Sequence, residues 1–298
     1  MRILILALVV LGALCHEMLV TKEYTDYLKR HVSWEVMDYE ENIFRGWTLE
    51  EGKVLLGLKE SNDNEVYATT EERTNLPKSV NWANSTCDSE IRNQGNCGSC
   101  WAFATVGMLN NRCCQHKKEA VPLLSPQELV SCDPQSDGCD GGWCTYAMNY
   151  VIKAKGLVQE PCFPYQARDM PCPTKCKNGD DWKKAHICDC KEYKIADTCA
   201  KLKTALTDGS VTLGFGVCRS FFNYKSGIYK CDCGGSYAGL HAVEGVGFGE
   251  EEATKKMFLH VKNSWGTNWG MKGFFDIYCD TCGIGGQYPK GNVYCSKF

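Results

Sequence analysis

The chain has almost no net charge. Its 33 Lys and Arg against 36 Asp and Glu leave −3 over 298 residues. That balance lacks the basic excess with which nucleic acid or an anionic membrane surface is bound, and no tract of like charge supplies it locally. No internal repeat is visible, so the length fits one or two globular domains with ample chain to bury a core. Long hydrophobic runs are absent too. The longest, Ile3–Leu14, is too short to cross a bilayer. It follows Arg2, and the small residues Ala13 and Cys15 stand where cleavage near Cys15–His16 requires them. This pattern reads as a secretory signal peptide over residues 1–15, not as a membrane span.

What the chain does have is concentrated in Gln94-Gly95-Asn96-Cys97-Gly98-Ser99-Cys100-Trp101. A Gly/Ser-rich approach leads into a cysteine followed at once by an aromatic. Apolar residues at Trp101, Ala104 and Met108 then recur three and four apart, which predicts a helix over Trp101 to Cys114. A thiol at a helix N-terminus feels the positive end of the macrodipole, which favours the nucleophilic thiolate. Gln94, six positions earlier, is placed to aim an amide N–H at a developing oxyanion.

These residues resemble the catalytic-cysteine signature of papain-like cysteine proteases. The His and Asn that this family requires downstream have matches in His241-Ala242-Val243 and Asn263-Ser264-Trp265-Gly266. Within the family the chain is most similar to the cathepsin B branch, on Gly138–Gly142, Gly270–Phe275 and Cys282-Gly283-Ile284. The resemblance implies an α+β papain-like fold, with a helical subdomain over about residues 84–190 and a β-barrel-like one over about 191–298. The active-site cleft lies between them. It implies covalent acyl transfer with no metal or other cofactor. Cys100 attacks a peptide carbonyl, the Cys100 N–H and Gln94 hold the oxyanion, and His241 protonates the leaving amine and then activates water. Asn263 fixes the imidazole, and Trp265 packs over that hydrogen bond. Protein and peptide substrates, the chain's own propeptide and cystatin-type inhibitors are the partners it implies, for a monomer in an acidic lysosome-like compartment or outside the cell.

The peptidase region is expected over 76–298, starting at Leu76-Pro77-Lys78-Ser79-Val80-Asn81-Trp82. Residues 16–75 read as its propeptide, with Trp34, Phe44, Trp47 and Leu55-Leu56-Gly57 as apolar anchors. The polar stretch 61–75 reads as an exposed, cleavable linker. Ser125-Pro126-Gln127-Glu128 predicts a capping box with Pro at the first helical position. Thr145–Lys155 predicts a helix stopped by Gly156. Met257–Lys262 and Phe274–Tyr278 alternate as strands do.

Cysteine arithmetic adds a constraint. Of 21 cysteines, one falls in the leader and one is the candidate nucleophile. The odd remainder requires a further free thiol or an intermolecular bond. In a secretory compartment most should be oxidised, so the cysteines at the zinc-like spacings Cys188/Cys190, Cys231/Cys233 and Cys279/Cys282 are expected to be engaged in disulfides and not to ligate zinc. Cys97–Cys139 and Cys87–Cys114 are the expected brackets of the nucleophile loop and its helix. Cys233–Cys282 is a third, and Cys132 is expected to reach into the 162–188 loop.

Gly141-Gly142 would let a substrate backbone approach closely. By the resemblance, Trp143, Ala242 and Gln287 line the S2 subsite and Trp269 the primed side. Three departures stand out. No His-His pair exists, and the 162–190 loop is short, so carboxydipeptidase activity is not expected. Gln287 stands where cathepsin B has an acidic S2 residue. Leu240 precedes the base. Two other readings stay open: a non-catalytic papain-fold binding protein, and a peptide ligase or acyltransferase using the same triad.

Overall fold

A computed structural model describes residues 17–60, 65–83 and 85–298; the leader expected over 1–15 lies outside the described residues. The helices are α1 (Lys22–His31), α2 (Leu49–Lys53), α3 (Cys100–Lys117), α4 (Pro126–Cys132), α5 (Cys144–Ala154) and α6 (Cys199–Thr207). The strands are β1 (Glu35–Val36), β2 (Val80–Asn81), β3 (Glu192–Ile195), β4 (Val211–Val217), β5 (Tyr224–Ser226), β6 (Ile228–Tyr229), β7 (Gly239–Glu250), β8 (Met257–Lys262), β9 (Phe274–Tyr278) and β10 (Val293–Lys297). No helix among the described residues is long and apolar enough to cross a membrane.

The α+β order follows the sequence expectation, with two refinements. The main sheet runs β2-β7-β8-β9-β6, and β4 also pairs with β7. No closed barrel forms among the described residues. The long strand β7 hands one edge from β4, paired through Gly245, to β2, paired at Gly247 and Phe248, while β3 and β10 form a separate ladder. The other refinement is α6, a helix in the strand-rich half that the apolar pattern did not reveal. Its N-cap is Thr198, whose side chain accepts from Lys201 N.

α3 is buried on nearly all sides. Every residue from Cys100 to Cys114 except Gly107 is shielded from water. It therefore lacks the one-sided apolar stripe of a surface helix and acts as the pillar between the two halves. α4 begins as expected: Ser125 caps it and Pro126 opens it. The reciprocal half of the capping box is missing. The Glu128 carboxylate instead accepts from Val158 N at 2.7 Å and Tyr150 Oη at 2.9 Å, and lies 2.7 Å from His186 Nε2.

Nine disulfides staple the loops among the described residues. Cys97–Cys139 and Cys87–Cys114 are present, and Cys132 joins Cys172. The expected Cys233–Cys282 bond is not. Cys282 pairs with Cys231, and Cys233 closes on Cys218. The Cys231 N–H donates to Thr281 Oγ1 at 3.1 Å, which sets Cys231 and not Cys233 beside Cys282. Cys113–Cys188, Cys162–Cys176, Cys190–Cys295 and Cys199–Cys279 complete the set. The free thiols among the described residues are Cys100 and Cys144, both buried. Alkylation of the unfolded, unreduced protein should accordingly label Cys100 and Cys144 and none of the bridged cysteines. An adduct on Cys231 or Cys233 in the peptide map would contradict this pairing.

Candidate active site

The candidate residues meet where the first turn of α3 faces the start of β7. Cys100 opens α3, and Ala242 N–H donates to its Sγ at 3.5 Å, which lays the strand carrying His241 against the thiol. His241 Nε2 lies 2.8 Å from Asn263 Oδ1, which also accepts from Ser264 N at 2.8 Å. An amide oxygen can only accept, so Nε2 carries the proton in the neutral ring and Nδ1 keeps its lone pair. Nδ1 has no hydrogen-bond partner. The Trp265 ring lies 4.9 Å from the imidazole, and Phe215 is 5.9 Å away on the sheet side. Water is excluded from the bond that orients the ring.

Gln94 is fully buried. Its Oε1 accepts from Ser264 Oγ at 2.7 Å, which leaves Nε2 to donate to Cys97 O at 2.9 Å and Leu55 O at 3.1 Å. The latter is a peptide carbonyl of the N-terminal segment. Tyr165, from the cysteine-rich loop, braces this corner. Its hydroxyl donates to Gln94 O at 2.7 Å and lies 2.6 Å from Ser99 Oγ. Sequence reasoning passed over Tyr165 because nothing in the loop's local pattern links it to residue 94.

The N-terminal segment threads the cleft as an extended chain. Leu58 N–H donates to Leu240 O at 3.2 Å; Gly142 N–H donates to Gly57 O and Lys59 N–H to Gly142 O, both at 2.9 Å. Gly141 and Gly142 allow this approach for different reasons. A Cβ on Gly141, where φ is +112°, would stand 2.6 Å from Gly57 O, whereas one on Gly142 would strike the Trp101 ring. The Leu58 side chain, close to Gly214 and Gly291, lines a recess together with Leu240, Tyr288, Pro289 and Lys290. Gln287 lines the same recess and is itself exposed. Trp143 lies alongside, with the Lys59 ammonium 5.3 Å over its ring. Ala242 contributes its backbone N–H to sulfur.

On the other side of Cys100 the reading of Trp269 needs correction. Trp269 is fully buried behind the cleft, packed on Tyr224, Phe221, Phe275 and Trp265. The ring that meets the N-terminal segment is Trp265, against which Phe44 packs edge-on at 5.3 Å. Trp34 likewise packs on Tyr224 and Tyr229. Two of the anchors expected from the apolar pattern, Trp34 and Phe44, thus land on aromatic rings of the body. A cavity of about 490 Å³ remains here, lined by Ile43, Phe44, Leu55, Asn96, Trp265 and Thr267 among others, and by no residue of the 162–190 loop.

Two effects oppose each other at the thiol. Burial pushes the Cys100 thiol up to about 11, and the N–H groups of Ala242, Gly57, Trp101 and Leu58 pull it only part of the way back. Burial also pushes His241 down to about 4, against the lifting effect of Asn263 and the Leu55 backbone. Covered by its own segment, the pair is neutral at pH 7: a thiol and an imidazole, not a thiolate and an imidazolium. Alkylation of Cys100 by iodoacetamide at pH 7 should be at least about tenfold slower in the chain that keeps residues 17–60 than in one that has lost them. Equal rates would show that the cover does not control the thiol.

Comparison with known proteins fits this geometry. Residues 76–289 match the model of the papain family cysteine proteases. Cathepsin B-like CP2 of Giardia intestinalis is 34% identical over 245 residues, spanning 78% of this chain and 80% of that protein. Procathepsin B S9 of Trypanosoma congolense superposes with a TM-score of 0.80 over 94% of this chain and 99% of that one, at 23% identity, a likeness of fold. Digestive procathepsin L2 of Tenebrio molitor gives a TM-score of 0.75 at 27% identity, covering 92% and 88% of the two chains. With the family model spanning most of its length and its thiol, imidazole and amide gathered in one cleft, the chain belongs to the papain family of cysteine proteases, among relatives of cathepsin B type.

Proposed function

We propose that this protein is a cysteine endopeptidase made as a secreted zymogen, with Cys100, His241 and Asn263 as its triad. The observation that carries the reading is the extended peptide already lying in the cleft, with Leu55 O on Gln94 and the Gly57 and Lys59 main chain paired to Gly142. A site that binds one peptide backbone this way can bind another. In a substrate complex the Cys100 thiolate attacks the scissile carbonyl carbon. Charge passes to the carbonyl oxygen, where Gln94 Nε2 and the Cys100 N–H hold it. His241, protonated at Nδ1, gives that proton to the leaving amine, and a thioester remains on Cys100. Water, deprotonated by His241, then hydrolyses the thioester.

The N-terminal segment acts as the propeptide. The backbone N–H groups of Gly57 and Leu58 lie at the sulfur, which supports a segment that covers the thiol. The disulfide content supports passage through the secretory pathway. The cavity beside Trp265, free of the 162–190 loop, supports endopeptidase over exopeptidase action. The recess that Leu58 and uncharged Gln287 line supports an apolar S2 preference.

Two groups of outcomes are expected, the first on turnover and specificity. Cys100→Ala should abolish turnover in a folded protein, and the mature enzyme should prefer Leu-Arg to Arg-Arg fluorogenic dipeptides in kcat/KM, a gap that Gln287→Glu narrows. It should also cut a long peptide with a blocked C-terminus. Arg-Arg preference or failure on the blocked peptide would refute the respective claims.

The second concerns acid. Covered His241 sits near 4 against an ordinary 6.5. An uncovered imidazole therefore binds a proton between those values that the covered one cannot. The cover is at full strength above about 6.5, weakens as pH falls to about 4, and loses no more from this group below that, by up to about tenfold per pH unit. Limited proteolysis of full-length Cys100→Ala by an unrelated protease should release residues 17–60 faster at pH 4.5 than at pH 7. A pH-independent rate would remove His241 as the cause.

A further inference from the structure

We propose that Tyr165 is a positioning residue of the peptidase reaction, its hydroxyl holding in register the two groups that receive the oxyanion, the Gln94 amide and the Cys100 N–H. This rests on the peptidase reading above and brings a residue of the cysteine-rich loop into the service of the site.

The two oxyanion groups stand at the ends of one short loop. Gln94 opens it and Cys100, the first residue of α3, closes it, with Gly95 and Gly98 between them. A stretch with two glycines does little to fix its own ends. The Cys97–Cys139 bond holds its middle. Its ends meet at one atom, the Tyr165 hydroxyl oxygen, 2.7 Å from Gln94 O and 2.6 Å from Ser99 Oγ. A carbonyl oxygen only accepts, so the Tyr165 proton goes to Gln94, and Ser99 donates to Tyr165. The hydrogen-bond chain Ser99 to Tyr165 to Gln94 therefore runs in one direction.

Ser99 shows that this bond displaces another. It is the N-cap of α3, where a serine ordinarily accepts from an N–H of the first turn. Ser125 and Thr198 do so on α4 and α6, and Ser99 does not. Its buried hydroxyl serves Tyr165 instead. The peptide that follows Ser99 carries the Cys100 N–H, so a bond that fixes Ser99 also fixes that donor.

Tyr165 is itself clamped. Phe103, one turn along α3, meets its ring edge-on at 4.7 Å. Its N–H donates to Glu160 Oε1 at 2.8 Å, the Glu160 carboxylate pairs with Arg92 at 2.6 Å, and the Arg92 guanidinium lies 5.2 Å over the same Phe103 ring. On either side, Ser125 Oγ donates to Phe163 O at 2.5 Å and Gln166 N–H to Gln127 Oε1 at 2.8 Å. Burial pushes the phenol up to about 12, so the hydroxyl keeps its proton both in acid and at neutrality.

The test is Tyr165→Phe, which keeps the ring against Phe103 and removes the hydroxyl. In the active enzyme, kcat and kcat/KM for a Leu-Arg fluorogenic dipeptide should fall together by at least about tenfold, with KM within about twofold, because the oxyanion forms only beyond the ground state. Alkylation of Cys100 by iodoacetamide makes no oxyanion and should keep its rate within about twofold. Adding Tyr165→Phe to Gln94→Ala should lower kcat less than about threefold further, since one of the two groups it aligns is already gone. An unchanged kcat, an alkylation rate that falls as far as kcat, or full additivity with Gln94→Ala overturns the proposal. Should Tyr165→Phe fail to fold, Ser99→Ala cuts the same hydrogen-bond chain at its other end and is read by the same three measures. Wild-type enzyme run alongside separates the two failures. Turnover by wild type with an unaffected Tyr165→Phe sinks only this inference, whereas no turnover by wild type sinks the peptidase reading beneath it.

Discussion

A thiol at the first turn of a buried helix is pulled two ways. The helix dipole and nearby N–H groups favour the thiolate, and exclusion from water opposes it. In this chain exclusion wins at Cys100, because residues 55–59 close the cleft over it. The same exclusion holds His241 neutral. Much of the surrounding structure serves to set this balance reversibly. The cover is held by backbone pairing to Gly142 and Leu240 and by aromatic contacts; no covalent bond crosses to it among the described residues. Its departure would therefore require no covalent bond to the body to break.

Trp265 joins the cover to the chemistry. Its ring stacks on Phe222 at 5.0 Å, lies against His241 at 4.9 Å and receives Phe44 edge-on. Behind it, Phe221 and Trp269 fix its position. One side chain thus shields the His241–Asn263 hydrogen bond and gives the covering segment its landing surface. Phe44 covers one side of Trp265, and Phe221, Phe222 and Trp269 support the other. A ring held on its inner side can meet a substrate without loosening the imidazole beneath it.

How much of this could be read from residues alone depends on the range of the interaction. α3, β8 and β9 were legible because their signals are local: apolar spacing of three and four, or strict alternation. Cys100, His241, Asn263 and Gln94 were legible as a set because each carries its own short pattern. α6 was not, since Thr198 capping Cys199–Thr207 is a weak signal inside a strand-rich region. Nor was the pairing of Cys231 in place of Cys233 with Cys282, which turns on one hydrogen bond to Thr281. Trp269 shows the same limit from the other side: the resemblance set it on the primed side, but Tyr224, Phe221 and Phe275 close around it.

The cysteine-rich loop is held against the helical half of the molecule. Cys132–Cys172, Cys162–Cys176 and Cys113–Cys188 pin it to α4, to itself and to α3, and Cys190–Cys295 ties its exit to β10. Its inner residues turn toward the helical half. Asp169 accepts from Cys139 N at 2.8 Å, Tyr165 braces Gln94, and His186 meets the buried Glu128 carboxylate. A loop committed at so many points has little freedom to swing over the region beside Trp265. Four crosslinks also remove most of the conformations through which it would have to pass. The loop's cysteines thus do two things at once. They stiffen the wall behind Gln94 and Ser99, and they hold the loop away from the region beside Trp265.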